Sequence, residues 1–286
     1  MNKYKNSSIN LLLITLSIVG LLWLFWILWI SAKIKKIETM ENNINSKKLK
    51  VVYFACINPK FDWKIILEGQ FTEMKNSGMI DDAEIFLILS AIDTQELKEE
   101  VMTVIEKYFT DKTNYHVEIH EDNKYEYYGI KKLYDLGKED PSENNYLLYF
   151  HSKGMFNYVL HKRKEDLRDP QEIALTATMI KNWKEIVTLL DDDVSENKYD
   201  KVCFARSDDN TKYCWFNFFF VKGSYINTCE EPIISEDRFY YEKWLGTGNK
   251  NAKTFSLESN SDSVIYNSDA AWMSLQKKIK ELGLEP

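Results

Sequence analysis

The densest group of reactive side chains follows an apolar run: YLLYF at 146–150 leads without a spacer into His151, Ser152, Lys153 and Gly154. An imidazole, a hydroxyl, an ammonium group and a backbone without Cβ are thus delivered together. A strand that is apolar on both faces is rigid at its end, so groups placed just past it are held ready for a ligand. Lys153 can meet a phosphate as a point charge. His151 can bind a metal or a phosphate oxygen, and Gly154 lets a backbone approach closely. An ordinary strand-to-loop transition with a solvated lysine uses the same residue types, so these residues alone leave both readings open. The run Asp191-Asp192-Asp193 contains a D-x-D spacing, but it falls where a helix should end and reads as a solvated terminus.

The elements that must position these groups are legible from periodicity. Residues 51–56 (VVYFAC) form a short, fully apolar run ending in Ile57-Asn58-Pro59, the pattern of a buried strand. Trp63, Ile66, Leu67, Phe71 and Met74 fall on one helical face, and Ser77-Gly78 stops that helix. Strands are expected again at 84–89, 115–120 and 146–150, with helices near 97–108 and 126–136 between them. Such a βαβαβαβ series is satisfied by parallel strands with crossover helices on both faces. In sheets of this kind ligands bind beyond the carboxyl ends of the strands. That singles out the loop at Asn58 and the loop at His151. The second half is less regular: a helix over 170–190 with Asp169 as N-cap and Glu172 at N3, strands over 201–206 and 213–221, and a helix near 269–282.

Other chemistries are set aside by what the sequence lacks. There is no GxGxxG, Walker A or GxSxG pattern, which argues against a dinucleotide enzyme, a P-loop NTPase and an α/β-hydrolase. The four cysteines, Cys56, Cys203, Cys214 and Cys229, have no metal-ligand spacing. They read as core thiols, with a bridge between Cys214 and Cys229 as the alternative. Net charge is −7, and five lysines at 3, 5, 33, 35 and 36 leave −12 on the remainder, which speaks against a nucleic-acid partner.

Residues 9–32 (INLLLITLSIVGLLWLFWILWISA) carry no charge. About 24 residues at 1.5 Å each span a hydrocarbon layer of about 30 Å, so the run reads as a transmembrane helix in a lipid bilayer. Trp23, Trp26 and Trp29 cluster toward one end, where amphipathic rings favour the lipid–water boundary. Residues 1–8 form a short tail and 33–50 a polar stalk, which leaves 51–286 as one soluble domain. Lysines after the run and the absence of a sequon in the domain favour a cytoplasmic domain, with a lumenal one as the alternative.

Four segments in order, YLLYFHSKGM, VCFARSDD, FNFFFVKGSYI and EPIISEDRFYYEKWLGT, resemble the successive blocks of a group of glycosyltransferase-like proteins of bacteria and large DNA viruses. That group carries a YFH(S/T)KG block, an SGNFWWAK..YI block and an RY..E.W block. The early segment DWKIILEGQFTEMKNSGMIDDAEIFLIL is similar to its opening, so the resemblance covers roughly residues 50–250.

The resemblance implies a GT-A-like fold, a Rossmann-related, mostly parallel sheet with flanking helices that binds a nucleotide-diphosphate sugar as donor. The acceptor would be a glycan or a lipid-linked molecule. GT-A enzymes commonly hold a divalent cation on the donor diphosphate with a D-x-D after the fourth strand; here His151-Ser152-Lys153 stands in that place. Lys153 aided by His151 suits direct neutralisation of the leaving diphosphate, and Mg²⁺ or Mn²⁺ on Asp208 and Asp209 is the alternative. Asn217 matches the asparagine of the second block and implies a sugar or backbone contact. Trp215 and Phe216 depart from it, standing where the group has serine and glycine. Asp237, Arg238 and Glu242 match the last block, with Asp237 or Glu242 as candidate base for the acceptor hydroxyl. Tyr240, Tyr241 and Trp244 would stack on a sugar or pack inside. A degenerate domain that binds glycans or a partner without catalysis is the competing expectation, motivated by Trp215-Phe216.

Overall fold

The computed structural model describes residues 23–31, 33, 49–152, 168–191, 198–207, 213–257 and 277. The chain divides into two compact units, Met1–Ser46 and Lys47–Pro286. In the first, residues 23–31 are helical and the rings of Trp23, Trp26 and Trp29 are exposed. The rest of the apolar run 9–32, the tail 1–8 and most of the stretch 33–50 lie outside the described residues. Among the described residues no helix is long and apolar enough to cross a membrane.

The second unit is a mixed α/β domain on a seven-stranded sheet. Its strands are β1 (Leu49–Cys56), β2 (Glu84–Ser90), β3 (Tyr115–Ile119), β4 (Tyr146–His151), β5 (Lys201–Cys203), β6 (Phe219–Lys222) and β7 (Thr254–Ser256). They lie in the order β3-β2-β1-β4-β6-β5-β7. The first four are parallel, with Val52 opposite Phe86 and Tyr149, so β1 and β4 are central and apolar on both faces. β6 runs antiparallel to both β4 and β5 and so interrupts the parallel order, while β7 is parallel to β5. The first strand starts two residues inside the stretch expected as stalk.

Two helical layers cover the sheet. On one face lie α1 (Trp63–Asn76), followed by the single turn α2 (Met79–Asp82), then α3 (Gln95–Glu106) and, after β4, α5 (Pro170–Lys181) and α6 (Trp183–Asp191). Here Tyr53 packs edge-on against Phe71, which in turn meets Phe109. The other face is covered by α4 (Tyr127–Glu139), the turn α7 (Gly223–Ile226) and α8 (Arg238–Trp244). Ile130, Leu133 and Leu136 of α4 join Phe54, Ile88, Tyr149, Phe219 and Trp244 in one buried cluster. Gly78, at φ 73°, stops α1 with the left-handed residue that its position called for.

Three expected elements are corrected. The helix over 170–190 breaks at Asn182, where φ is −103° and the side-chain amide donates to the Thr178 carbonyl at 3.1 Å. Trp183 then starts α6 with its indole N–H on the Ser77 carbonyl at 3.1 Å. Asp169 does cap α5, accepting from the Gln171 N–H at 2.8 Å, but Glu172 turns inward instead of closing a capping box. The strands over 201–206 and 213–221 shorten to β5 and β6, because Trp215–Asn217 form a tight 3₁₀ turn. All four cysteines are free thiols, so Cys214 and Cys229 are not bridged.

Candidate functional site

The carboxyl ends of β1, β2, β3 and β4 bring Cys56, Ser90, His120 and His151 to one edge of the sheet. Cys56 pairs with Ser90 in register, and the His120 N–H donates to the Leu89 carbonyl at 2.8 Å. The loops that follow are fastened to one another: Ile57 N–H to Ser90 O at 2.9 Å, Ser152 N–H to Phe54 O at 2.9 Å, and Ile92 N–H to His120 O at 3.2 Å. Ala91 takes a left-handed φ of 60° and donates to Asp122 at 3.1 Å. The edge is therefore a rigid rim.

His151 is the best-held member of the rim. Its backbone carbonyl accepts from Gln70 Nε2 at 3.2 Å, and its ring Nε2 lies 2.9 Å from the Phe216 carbonyl. That carbonyl belongs to a bend in which Phe216 and Asn217 are both left-handed, at φ 69° and 53°. Each such non-glycine residue costs roughly 1–3 kcal/mol and persists only where the surroundings over-determine it. Here His151 holds the Phe216 carbonyl, while the Trp215 and Phe216 rings join Phe204, Ala205 and Tyr213 in a small apolar cluster. Glycine is the residue such a φ favours, and phenylalanine stands there instead.

Behind the bend, Asn217 is fully buried and its Nδ2 donates to Glu126 Oε2 at 2.8 Å. The Tyr149 hydroxyl donates to the same oxygen at 3.0 Å. Glu126 Oε1 lies 4.0 Å from His151 Nδ1. Burial, with the Glu126 charge beside it, pushes the Tyr149 phenol well above its ordinary value and keeps it a donor. Glu126 reaches this place because Tyr125, left-handed at φ 51°, makes a sharp turn just before α4; the Tyr125 N–H is held by Asn123 Oδ1 at 2.9 Å. Glu126 occupies the N-cap position yet makes no capping bond, so its carboxylate is free to cross toward β4. Nothing local in EDNKYEYYG distinguishes this residue. Its partners lie 23 and 91 positions away.

A second polar group sits beside β3. His120 stacks on Tyr128 at 3.6 Å between ring centres, Tyr128 donates to Asp122, and Lys124 pairs with Asp122 at 2.9 Å. His120 Nε2 is buried without a partner among the described residues, and burial lowers the His120 imidazole below its ordinary value. Burial also pushes the Cys56 thiol up, against the Ser90 hydroxyl, so Cys56 is a poor nucleophile here. Beyond β1 and β2 opens a cleft of about 460 Å³ whose walls include Pro59, Phe61, Trp63, Asp62, Asp93 and Glu96.

The residues singled out by sequence separate in space. Asn58 shapes the loop after β1, its Oδ1 accepting from the Lys60 N–H at 3.0 Å. His151 and Asn217 meet at the bend, and the Ser152 N–H is used in the sheet. Asp237 caps α8, accepting from the Phe239 N–H at 2.9 Å, and is exposed. Glu242 is half-buried on α8, which packs against the Trp215–Asn217 turn. Arg238 opens that helix. Tyr241 and Trp244 are buried packing groups that tie down the preceding loop through Ser235 N–H at 3.0 Å and the Glu230 carbonyl at 2.9 Å. Lys153, Gly154, Asp208 and Asp209 lie outside the described residues. Among the described residues no group of three or more His, Cys, Asp or Glu is placed to hold a metal ion. No protein-family model and no curated protein sequence matches this chain.

Proposed function

We propose that the unit from Lys47 onward is a GT-A-like glycosyltransferase domain, anchored to a membrane through residues 9–32, that moves a sugar from a nucleotide-diphosphate sugar to a glycan or lipid-linked acceptor. One observation carries the reading. The YFHSKG and WFNFFFVKG segments, on which the resemblance rests, are far apart in sequence, yet His151 of the first holds the Phe216 carbonyl of the second at 2.9 Å. They meet at the carboxyl edge of the central strands, where open α/β sheets take their ligands. The sheet, parallel through β3-β2-β1-β4 and mixed beyond, is compatible with a Rossmann-related fold.

The cleft beyond β1 and β2 supports a nucleoside site. Phe61 and Pro59 offer apolar surface to a base, and Asp62 and Asp93 offer acceptors to its N–H groups. Carboxylates there would repel a diphosphate, which supports a reading with the phosphates nearer the His151 end, Lys153 as their cation and Mg²⁺ or Mn²⁺ on Asp208 and Asp209 as the alternative. An anchor in the bilayer raises the local concentration of membrane-bound acceptors.

The test uses the full chain in nanodiscs with a panel of nucleotide sugars, reading thermal shift for binding and released nucleotide for turnover, with and without Mn²⁺. At least one donor is expected to bind and turn over. Binding without turnover would favour a degenerate, glycan-binding domain, and no binding across the panel would overturn the glycosyltransferase reading.

A further inference from the structure

Among the described residues of the Lys47–Pro286 unit, the most exposed large apolar side chains are Ile233 at 61%, Ile234 at 52% and Phe239 at 50%. All three sit together, the isoleucines on the loop that leads into α8 and Phe239 on the first turn of that helix. The loop folds back onto α8, because the Ile233 N–H donates to the Tyr240 hydroxyl at 3.2 Å. Its base is fixed as well: the Trp244 indole donates to the Glu230 carbonyl at 2.9 Å, and the Glu230 N–H donates to Thr247 Oγ1 at 3.2 Å. The isoleucines are therefore presented on a pinned loop.

Three features say what covers this point. First, the backbone at the tip is already satisfied without water. Pro232 has no N–H, the Tyr241 hydroxyl donates to the Ile233 carbonyl at 3.3 Å, and it accepts from the Ser235 N–H at 3.0 Å. Backbone groups that leave water for an apolar layer are costly unless they have such internal partners. Second, the patch is small. Three half-exposed side chains amount to roughly 300 Å², well short of the roughly 800 Å² a side that a specific protein interface needs. Third, the surroundings are acidic. Glu230, Glu231, Glu236 and Asp237 are all exposed, with Glu231 paired to Lys131 at 3.5 Å and Asp237 capping α8. Such charges repel an anionic leaflet and suit zwitterionic head groups, whose ammonium ends lie outermost.

We propose that Ile233, Ile234 and Phe239 form a second contact with the bilayer, entering the boundary between zwitterionic head groups and acyl chains. This rests on the anchor proposed above. Residues 33–48 reach at most roughly 55 Å, which keeps the domain close to that surface. A single tether leaves a domain free to turn, whereas a second contact fixes which edge faces the lipid. Because α8 packs against the Trp215–Asn217 turn, the contact brings the candidate site to the level at which a lipid-linked acceptor presents its head group.

The experiment uses the full chain in phosphatidylcholine nanodiscs, with a nitrobenzoxadiazole fluorophore on Ile234→Cys and a nitroxide-labelled phosphatidylcholine as quencher. Cys203, Cys214 and Cys229 are buried and burial pushes the Cys56 thiol up, so the introduced cysteine takes the label. The Ile234→Cys probe is expected to lose at least about half of its emission to the quencher. The same label on Asp111→Cys, exposed between α3 and β3 at the opposite edge of the sheet, should lose almost none. Adding Ile233→Glu and Phe239→Glu to the Ile234→Cys chain should abolish the quenching and leave the thermal midpoint within about 2 °C. An unquenched Ile234→Cys probe would overturn the proposal, and a blue-shifted but unquenched one would assign the patch to a second copy of the chain. A label on Ser17→Cys then tells whether the anchor falls with it: quenching there leaves the anchor standing. Quenching at Ile234→Cys that survives the two glutamates would also overturn the proposal, since apolar insertion would not be its cause.

Discussion

Two carboxylates flank β4, Glu172 fully buried and Glu126 partly so, and they are held differently. Glu172, on the α1 and α5 side, has every oxygen occupied: Arg168 donates through Nε and Nη2, both at 2.7 Å, and the Thr176 hydroxyl adds a bond at 2.8 Å. The chain of bonds continues from Gln70 to Thr176 at 3.1 Å and to the His151 carbonyl at 3.2 Å, and from the Tyr53 hydroxyl to Gln70 at 2.7 Å. Glu126, on the α4 side, has one oxygen doubly occupied and the other facing His151. The backbone of His151 thus belongs to the closed network, and its ring stands beside Glu126. A buried network whose donors and acceptors are all matched fixes geometry.

The largest expected effect lies in the closed network. Arg168 is 14% exposed and Glu172 fully buried, so Arg168→Ala leaves a buried carboxylate without its cation and should cost about 3–5 kcal/mol in stability. Urea unfolding followed by circular dichroism would show it as a lowered midpoint. Replacing both partners by methionine should return most of the loss, since no charge is then stranded. An Arg168→Ala chain as stable as wild type would mean that the network is not what holds β4 to α5.

These contrasts also show what the sequence could and could not disclose. VVYFAC, EIFLIL and YLLYF are apolar at every position because β1, β2 and β4 are covered on both faces, so composition alone places them. Asp169 announces α5 because a cap acts within three residues. FNFFFV also looks like uninterrupted strand, but Phe216 and Asn217 are bent into left-handed backbone by His151, a partner 65 positions away. Aromatic residues favour pleated surfaces on average, and a tertiary clamp overrides that preference. Glu126 is invisible for the same reason: it is one acid among many in an acidic chain until Tyr149, His151 and Asn217 converge on it. Half of the candidate site, His151 with Asn217, was readable as motif; the carboxylate that joins them was not.

A third buried centre behaves as a closed one and extends the comparison to pH. Lys201 Nζ donates to the Tyr225 hydroxyl at 2.9 Å, and that hydroxyl donates to the Leu245 carbonyl at 2.6 Å. Burial holds the Lys201 ammonium below its ordinary value and pushes the nearby Cys229 thiol up to about 12. In the unfolded chain that thiol ionises near 9, so as pH rises from about 9 to 12 the unfolded state gains free energy that the folded state does not. Stability should fall over that window by an amount on the order of 4 kcal/mol from this group. Lys201 acts with the opposite sign, since the folded state sheds its proton first and stability rises as the unfolded chain follows. Cys229→Ala should flatten the alkaline decline in urea midpoints; an unchanged decline would assign it to Tyr53, Tyr149 and Tyr225, whose phenols burial also pushes up.

Gly69 offers a smaller and more pointed test of the closed network. A Cβ there would stand 2.5 Å from Arg168 Cδ and 2.6 Å from its Nε. Arg168 cannot yield without releasing Glu172, so Gly69→Ala should destabilise by about 1–3 kcal/mol even though alanine favours helix. In an Arg168→Met, Glu172→Met background the obstruction is gone, and the same substitution should become neutral or stabilising by up to about 1 kcal/mol. A cost that persists in that background would point to the α1 backbone instead of the ion pair.

The smallest expected effect is the one that most sharply separates the two carboxylates. In Glu126→Gln the side-chain oxygen can still accept from both Tyr149 and Asn217. No donor is orphaned and no counter-charge is stranded, so stability should stay within about 1 kcal/mol of wild type by the same urea assay. Glu172→Gln makes the identical chemical change and should cost several times more, because it takes the negative charge from a buried guanidinium and sets an amide N–H against its donors. Equal losses at the two positions would make Glu126 a second structural acid.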